Sequence, residues 1–140
     1  MNIHFSPKLD QNIKNKTIFI CFAMEFDQWI EKLKKEGKLI IVEGSKDKKA
    51  LESIGLTNII TLRQKPLFQI VEEVAEQTKD AIILTDLDKE GKMLFSKLNK
   101  DLQEHGVRVD KKFREFLFKE TKLRQIEGIR RYIAKLPETL

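Results

Sequence analysis

Two short apolar runs, each ending in an acid, then a glycine, then a helical pattern, constrain this chain more than any other feature. The first is Lys38-Leu-Ile-Ile-Val-Glu43-Gly44-Ser45, and the second is Ala81-Ile-Ile-Leu-Thr-Asp86-Leu-Asp88-Lys-Glu-Gly91. An unbroken β-branched run without polar alternation is the pattern of a strand covered on both faces. Such strands belong to parallel sheets, whose neighbours are joined through helices.

The intervening sequence supplies those helices. Phe26, Trp29, Ile30 and Leu33 fall at i, i+3, i+4, i+7 in a helix over 25–36 that Gly37 stops, which makes Trp29 a core anchor. After Val42, Ser45 reads as an N-cap, Asp47 as a first-turn acid, and Ala50, Leu51 and Ile54 as a buried face ended by Gly55. Asn58 to Leu62 is a second strand, and Pro66 opens a helix carrying Leu67, Ile70, Val71 and Val74. Ala81 to Thr85 is the third strand. Met93, Leu94, Leu98 and Leu102 mark the next helix, closed at His105-Gly106, and Val107 to Val109 is a short fourth strand. Leu123, Ile126, Ile129 and Ile133 predict a last helix ending before Pro137. The expected fold class is therefore α/β, with a central, mostly parallel four-stranded sheet flanked by helices. Residues 25–140 are expected to form a single domain, with 1–24 as an N-terminal arm or tail.

In sheets of this kind ligands gather at the carboxyl ends of the strands. Glu43 and the pair Asp86/Asp88 lie at such ends, and aspartates two apart on an extended segment point the same way. That constellation suits hard divalent cations. Asp86 and Asp88 would hold one or two Mg²⁺ or Mn²⁺ ions, and Glu43 would be a further ligand or a general acid/base. Arg63 and Lys65 follow the second strand at the same edge and could neutralise a phosphate.

Charge points to a polyanion. The net charge is +5, and residues 89–135 carry 14 Lys/Arg against 7 Asp/Glu while the remainder carries 13 against 15. Nucleic acid, RNA or DNA, is the natural partner. Lys89 and Lys92 beside the acids, and Arg108, Lys111, Lys112 and Arg114 after the fourth strand, are the candidate backbone contacts. Phe113, Phe116 and Phe118 lie among these charges, and burial of at least two is expected over stacking on bases.

Other functions find little footing. The single Cys21 rules out an internal disulfide and a cysteine zinc site, and it reads as a small buried hydrophobe in a reducing, cytoplasmic setting. The run Ile18 to Met24 is far shorter than the roughly 20 residues a membrane span needs, and Lys14 and Lys16 precede it without a small-x-small cleavage site after it. His4 and His105 read as a tail residue and a helix cap, and Tyr132 as part of the last helix. A haloacid-dehalogenase reading of Asp86-x-Asp88 fails because Glu90 stands where that pattern has Thr or Val.

Val42-Glu43-Gly44 followed by Leu84-Thr85-Asp86-Leu87-Asp88-Lys89-Glu90-Gly91 resembles the Toprim domain, a Rossmann-like fold, over about residues 38–110. The compact chain and its Phe113–Gly128 tail resemble the stand-alone, primase-like Toprim proteins, chiefly archaeal. That resemblance implies a glutamate acting as general acid/base at Glu43 and Mg²⁺-binding aspartates at Asp86 and Asp88. It implies Mg²⁺-dependent phosphodiester chemistry on nucleic acid, with nuclease action, ribosomal-RNA processing among its forms, favoured over primase-like nucleotidyl transfer. The alternative is a non-catalytic module that binds metal and nucleic acid in an assembly. The oligomeric state stays open.

Overall fold

A computed structural model describes residues 26–135. The tail 1–24, with His4 and Cys21, and the stop at Pro137 lie outside the described residues. Helix α1 spans 26–36, followed by β1 (Leu39–Val42), α2 (Ser45–Ser53), β2 (Ile59–Thr61), α3 (Leu67–Gln77) and β3 (Asp80–Leu84). Then come α4 (Lys89–Glu104), β4 (Arg108–Asp110), α5 (Lys112–Glu120), a 3-10 turn (Ile126–Gly128) and α6 (Ile129–Ala134).

The four strands pair in the order β2-β1-β3-β4, all parallel. Ile40 faces Ile59 on one side and Ile82 on the other, and Val42 faces Leu84. All four residues of β1 are buried, so its unbroken apolar run is explained by a helix layer on each face. Alternate side chains serve opposite layers. Ile40, Val42, Ile82 and Leu84 pack with Phe26, Leu33, Leu51, Phe113 and Leu117 from α1, α2 and α5. Leu39, Ile41, Ala81 and Ile83 pack with Val71, Val74, Leu98 and Leu102 from α3 and α4. Each fully buried aliphatic side chain contributes about 1.5–3 kcal/mol of transfer free energy, so these two layers hold the sheet.

This order positions the site. The chain runs from β1 outward to β2, then returns across β1 to β3. The strand order therefore reverses between β1 and β3, and a crevice opens where the carboxyl ends of those strands diverge. Glu43 leaves β1 into that crevice and Asp86 leaves β3 into it.

Several local expectations are corrected. Ser45 is the first helical residue rather than the cap. Gly44 is the N-cap, and the Asp47 carboxylate accepts its N–H at 3.0 Å. The second strand starts after Asn58, whose φ of 60° takes it out of the sheet conformation. The third begins at Asp80 and ends before Thr85, and the fourth is Arg108–Asp110. Met93 is 64% exposed, because burial of Gly91 turns Phe95, Leu98 and Leu102 inward instead. A helix over 112–120 went unread in the sequence, and the expected final helix is split into the 3-10 turn and α6. Phe113 and Phe118 are buried, as expected, and Trp29 is half-buried, stacked on Phe116 at 5.3 Å between ring centres. Among the described residues no helix is long and apolar enough to cross a membrane.

Candidate functional site

Glu43 follows β1 directly, and its Oε2 accepts the Asp86 backbone N–H at 2.7 Å. One side chain thus ties the ends of the two central strands together across the switch point. Asp86 Oδ1 in turn accepts the Ile126 N–H at 2.8 Å, and the Leu87 N–H donates to the Arg124 carbonyl at 2.8 Å. The segment after α5 is therefore docked on the Asp-x-Asp loop. Asp88 is the N-cap of α4, its Oδ1 accepting from the Gly91 N–H at 2.7 Å.

Gly91 has a steric reason to be glycine. A Cβ there would lie 2.0 Å from the Asp86 carbonyl oxygen, so the first turn of α4 presses directly on the backbone that carries Asp86. Thr85, fully buried, donates its hydroxyl to the Gly91 carbonyl at 2.7 Å and locks the same contact.

These elements enclose a cavity of about 360 Å³ at the crevice. Among the described residues six carboxylates line it: Glu43, Asp47, Asp86, Asp88, Glu90 and Glu127. Lys46 and Arg63 are its cations, and the Arg63 side chain lies over Gly44, where an added Cβ would come 3.2 Å from Nε. Burial is the main cause raising the Glu43 carboxyl above its ordinary range. Repulsion from Asp86, Asp88 and Asp47 adds to it, against the downward pull of the Asp86 N–H. Burial likewise raises Asp86, with Asp88 and Glu127 adding to it, while the Ile126 N–H and a hydrogen bond shared with Glu43 oppose. Asp47 is raised by burial, then by Asp86 and Glu127, with the Gly44 N–H and Arg63 opposing.

Among the described residues, no three His, Cys, Asp or Glu side chains stand close enough to make a ready-formed metal cage. The donor chemistry nevertheless fits a hard divalent cation. All the acids offer oxygen, and Mg²⁺ binds through one or two carboxylates with waters completing its shell. Crowding of like charge at three carboxyls is also what a divalent cation relieves.

Of the residues singled out in the sequence, the structure brings Glu43, Asp86, Asp88 and Arg63 together at this cavity. Lys65 lies at a different cavity and is paired with Glu73 at 2.7 Å. Arg114 lies beneath the site, donating through Nε to the Thr85 carbonyl at 3.2 Å and through a terminal nitrogen to the Asp86 carbonyl at 3.0 Å. Its guanidinium sits 4.6 Å from the Phe95 ring centre and 5.2 Å from that of Phe118, and burial lowers its pKa. That places Arg114 as a support for the Asp86 loop. Lys89 and Lys92 are exposed on the first turn of α4, and Lys111 and Lys112 are exposed where α5 begins. Arg108 sits at the opposite, starting edge of the sheet, paired with Asp80. Tyr132 packs against Phe26 with ring centres 5.7 Å apart.

Three cavity carboxylates were missed. Asp47 was read only as a helix-start acid, though its place three residues after Gly44 is the available hint. Glu90 was noted only as the residue breaking a phosphatase pattern. Glu127 has no local signal, since the docked 124–126 backbone is what brings it in.

A family model for the Toprim domain matches residues 37–111, the span that contains all four strands and both acid motifs. The chain belongs to the Toprim domain family. Within it, the chain is similar to the UPF0292 protein of Methanocaldococcus jannaschii, 33% identical over 74% of this chain and 84% of that protein. It is also similar to the UPF0292 protein of Thermococcus sibiricus, 39% identical over 74% of this chain and 81% of that one. Among solved structures, a protein from Aquifex aeolicus superposes with a TM-score of 0.68 and 36% identity, over 73% of this chain and 95% of that chain.

Proposed function

We propose that this protein is a Mg²⁺-dependent nuclease of the cytoplasm, with Mn²⁺ as a substitute ion, and that it hydrolyses phosphodiester bonds in nucleic acid. The observation that carries the proposal is the Glu43 carboxylate spanning the switch point to the Asp86 N–H inside a cavity lined by six carboxylates. Asp86 and Asp88 would hold the metal, with Glu43 beside them. A bound Mg²⁺ would supply charge stabilisation for the phosphate oxygens and acidify a coordinated water.

The protein's own groups divide the remaining work. Glu43, its carboxyl raised above the ordinary range chiefly by burial, is the group placed to act as general acid/base. Arg63 offers a cation at the rim for a non-bridging phosphate oxygen. The Ile126 N–H fixes one Asp86 oxygen, and Arg114 fixes the Asp86 backbone from below. Hydrolysis is favoured over nucleotidyl transfer because a domain of this size offers little surface for a nucleotide and a template together.

A second reading has an observation of its own. The acids form no ready-made cage, and one oxygen of Glu43, Asp47, Asp86 and Asp88 already accepts a backbone N–H. A module that binds metal and nucleic acid without cleaving fits that arrangement too. The deciding experiment titrates Mg²⁺ and Mn²⁺ into the protein with labelled structured RNA, single-stranded DNA and duplex DNA. Metal-dependent cleavage is expected, reduced on the order of 10²–10⁴-fold in Glu43→Gln and lost in Asp86→Asn/Asp88→Asn. Undiminished cleavage by those variants overturns the nuclease assignment, and binding without cleavage in any metal moves the protein to the assembly class.

A further inference from the structure

Six carboxylates repel a polyanion, so a nucleic-acid strand brought to the acid cavity has to be held by positive charge elsewhere. A groove of about 500 Å³ opens between α2 and the Gln125–Arg131 segment, beside that cavity. Lys46, Gln125 and Glu127 line both spaces, so the two adjoin. Along the groove Lys46 and Lys49, one helical turn apart on α2, face Arg130 and Arg131 on α6.

Some cations elsewhere on the described surface are already neutralised. Lys65 is paired with Glu73, Lys97 with Asp101 and Arg108 with Asp80. Lys46, Lys49, Arg130 and Arg131 are all exposed, and none of their side chains makes a hydrogen bond or ion pair with a described residue. They come from opposite ends of the described chain, so helix-surface solubility alone does not explain their meeting around one concave surface. Among the described residues no aromatic ring lines the groove, which favours backbone phosphates over bases as its ligands.

We infer that this groove holds the phosphodiester backbone of a single nucleic-acid strand, independently of sequence, as the strand leaves the acid cavity. A space of about 500 Å³ is far too small to enclose a turn of duplex, whose major groove alone is about 12 Å wide and about 8.5 Å deep. The inference rests on the nucleic-acid reading of the acid cavity, and its test separates the two.

Binding of labelled oligo-uridine and oligo-thymidine is measured by fluorescence anisotropy in EDTA and in Ca²⁺, across a range of salt. The proteins are wild type, the variant Lys46→Gln/Lys49→Gln/Arg130→Gln/Arg131→Gln, and the surface control Lys100→Gln/Lys119→Gln. Wild type and control are expected to bind alike, with equal affinity for both strands. The fourfold variant should bind on the order of tenfold or more weakly. Its slope of log affinity against log salt should be smaller by about 3, at roughly 0.7 per phosphate on a single strand. If the fourfold variant does not fold, Lys49→Gln/Arg131→Gln should remove about half of that slope. Unchanged affinity and slope in the variants, with wild type binding, overturn the groove and leave the acid-cavity reading standing. A wild type that binds no strand in either condition overturns both.

Discussion

At the starting edge of the sheet, Lys38 stands 3.4 Å from Glu36 and 3.2 Å from Asp110, and Arg108 Nε stands 3.2 Å from Asp80. At the finishing edge, Glu43, Asp47, Asp86 and Asp88 crowd together with backbone N–H groups as their hydrogen-bond donors and no ion pair within 4 Å among the described residues. Charge is matched at one end and left mismatched at the other. The consequences run in opposite directions. Burial pushes Asp110 upward, but the Lys112 N–H and the Lys38 ammonium outweigh it and hold the carboxyl below its ordinary range. At the finishing edge burial and mutual repulsion win, and three carboxyls are raised. A fold does not need like charges gathered at its topological switch point, and that mismatch supports the metal site proposed there.

Breaking the support under the acids should have the largest effect. Gly91→Ala forces a methyl group against the Asp86 carbonyl, and we expect ~3 kcal/mol of destabilisation in urea unfolding. Metal affinity by calorimetry should fall with it, and a variant of unchanged stability would mean that α4 is free to shift. Next in size is the metal itself. Mg²⁺ at a hundred times its Kd should raise wild-type stability by about 2.7 kcal/mol, and Asp86→Asn/Asp88→Asn should show no such rise in thermal unfolding.

Smaller, and opposite to the usual effect of a buried mutation, is Asp86→Asn alone in EDTA at neutral pH. Asparagine can keep the Ile126 hydrogen bond while removing a charge from the crowd, so we expect a gain of roughly 0.5–2 kcal/mol. A loss there would show that the carboxylate is held by more than its backbone donor.

The pH dependence sharpens the same contrast. Glu43, Asp47 and Asp86 bind protons more tightly folded than unfolded. Their contribution to stability therefore grows as pH falls from neutral through their raised folded values, levelling near the ordinary carboxylate pKa of ~4. Asp110 has the opposite sign. Its contribution is present above the ordinary value and is lost as pH falls through its depressed folded pKa. Melting temperature in EDTA should thus rise on mild acidification and then fall, and Glu43→Gln/Asp86→Asn should flatten the rise. Smallest of all is Lys38→Ala, with an expected loss of ~0.2–1 kcal/mol that shrinks in high salt, because the pair is only part-buried.

Strands β1 and β3 were readable because burial on both faces leaves an unbroken apolar run, a local signature. The acids after them were readable for the same reason, since an acid directly after a buried strand needs no distant information to be placed at its end. Helix α5 was not. Phe113, Leu117 and Phe118 have helical spacing, but they lie among Lys111, Lys112 and Arg114, and the cationic run masked the apolar stripe. The predicted last helix failed for a tertiary reason. Asp86 captures the Ile126 N–H and Leu87 captures the Arg124 carbonyl, so the backbone at 124–126 is committed elsewhere.

The sequence by itself determined the α/β class, the alternation of strand and helix, and two strand-end acid motifs, because periodicity and strand-end position are properties of neighbouring residues. Only the tertiary structure decided which charges share a space. The Glu43–Asp86 bond joins residues separated by 43 positions, and Glu127 reaches the acid cavity only because the segment before it docks on the Asp86 loop. Lys46 and Lys49 meet Arg130 and Arg131 through the packing of α2 with the last turn and helix. Electrostatics acts through distance in space, and that distance is set by the core on which these elements pack.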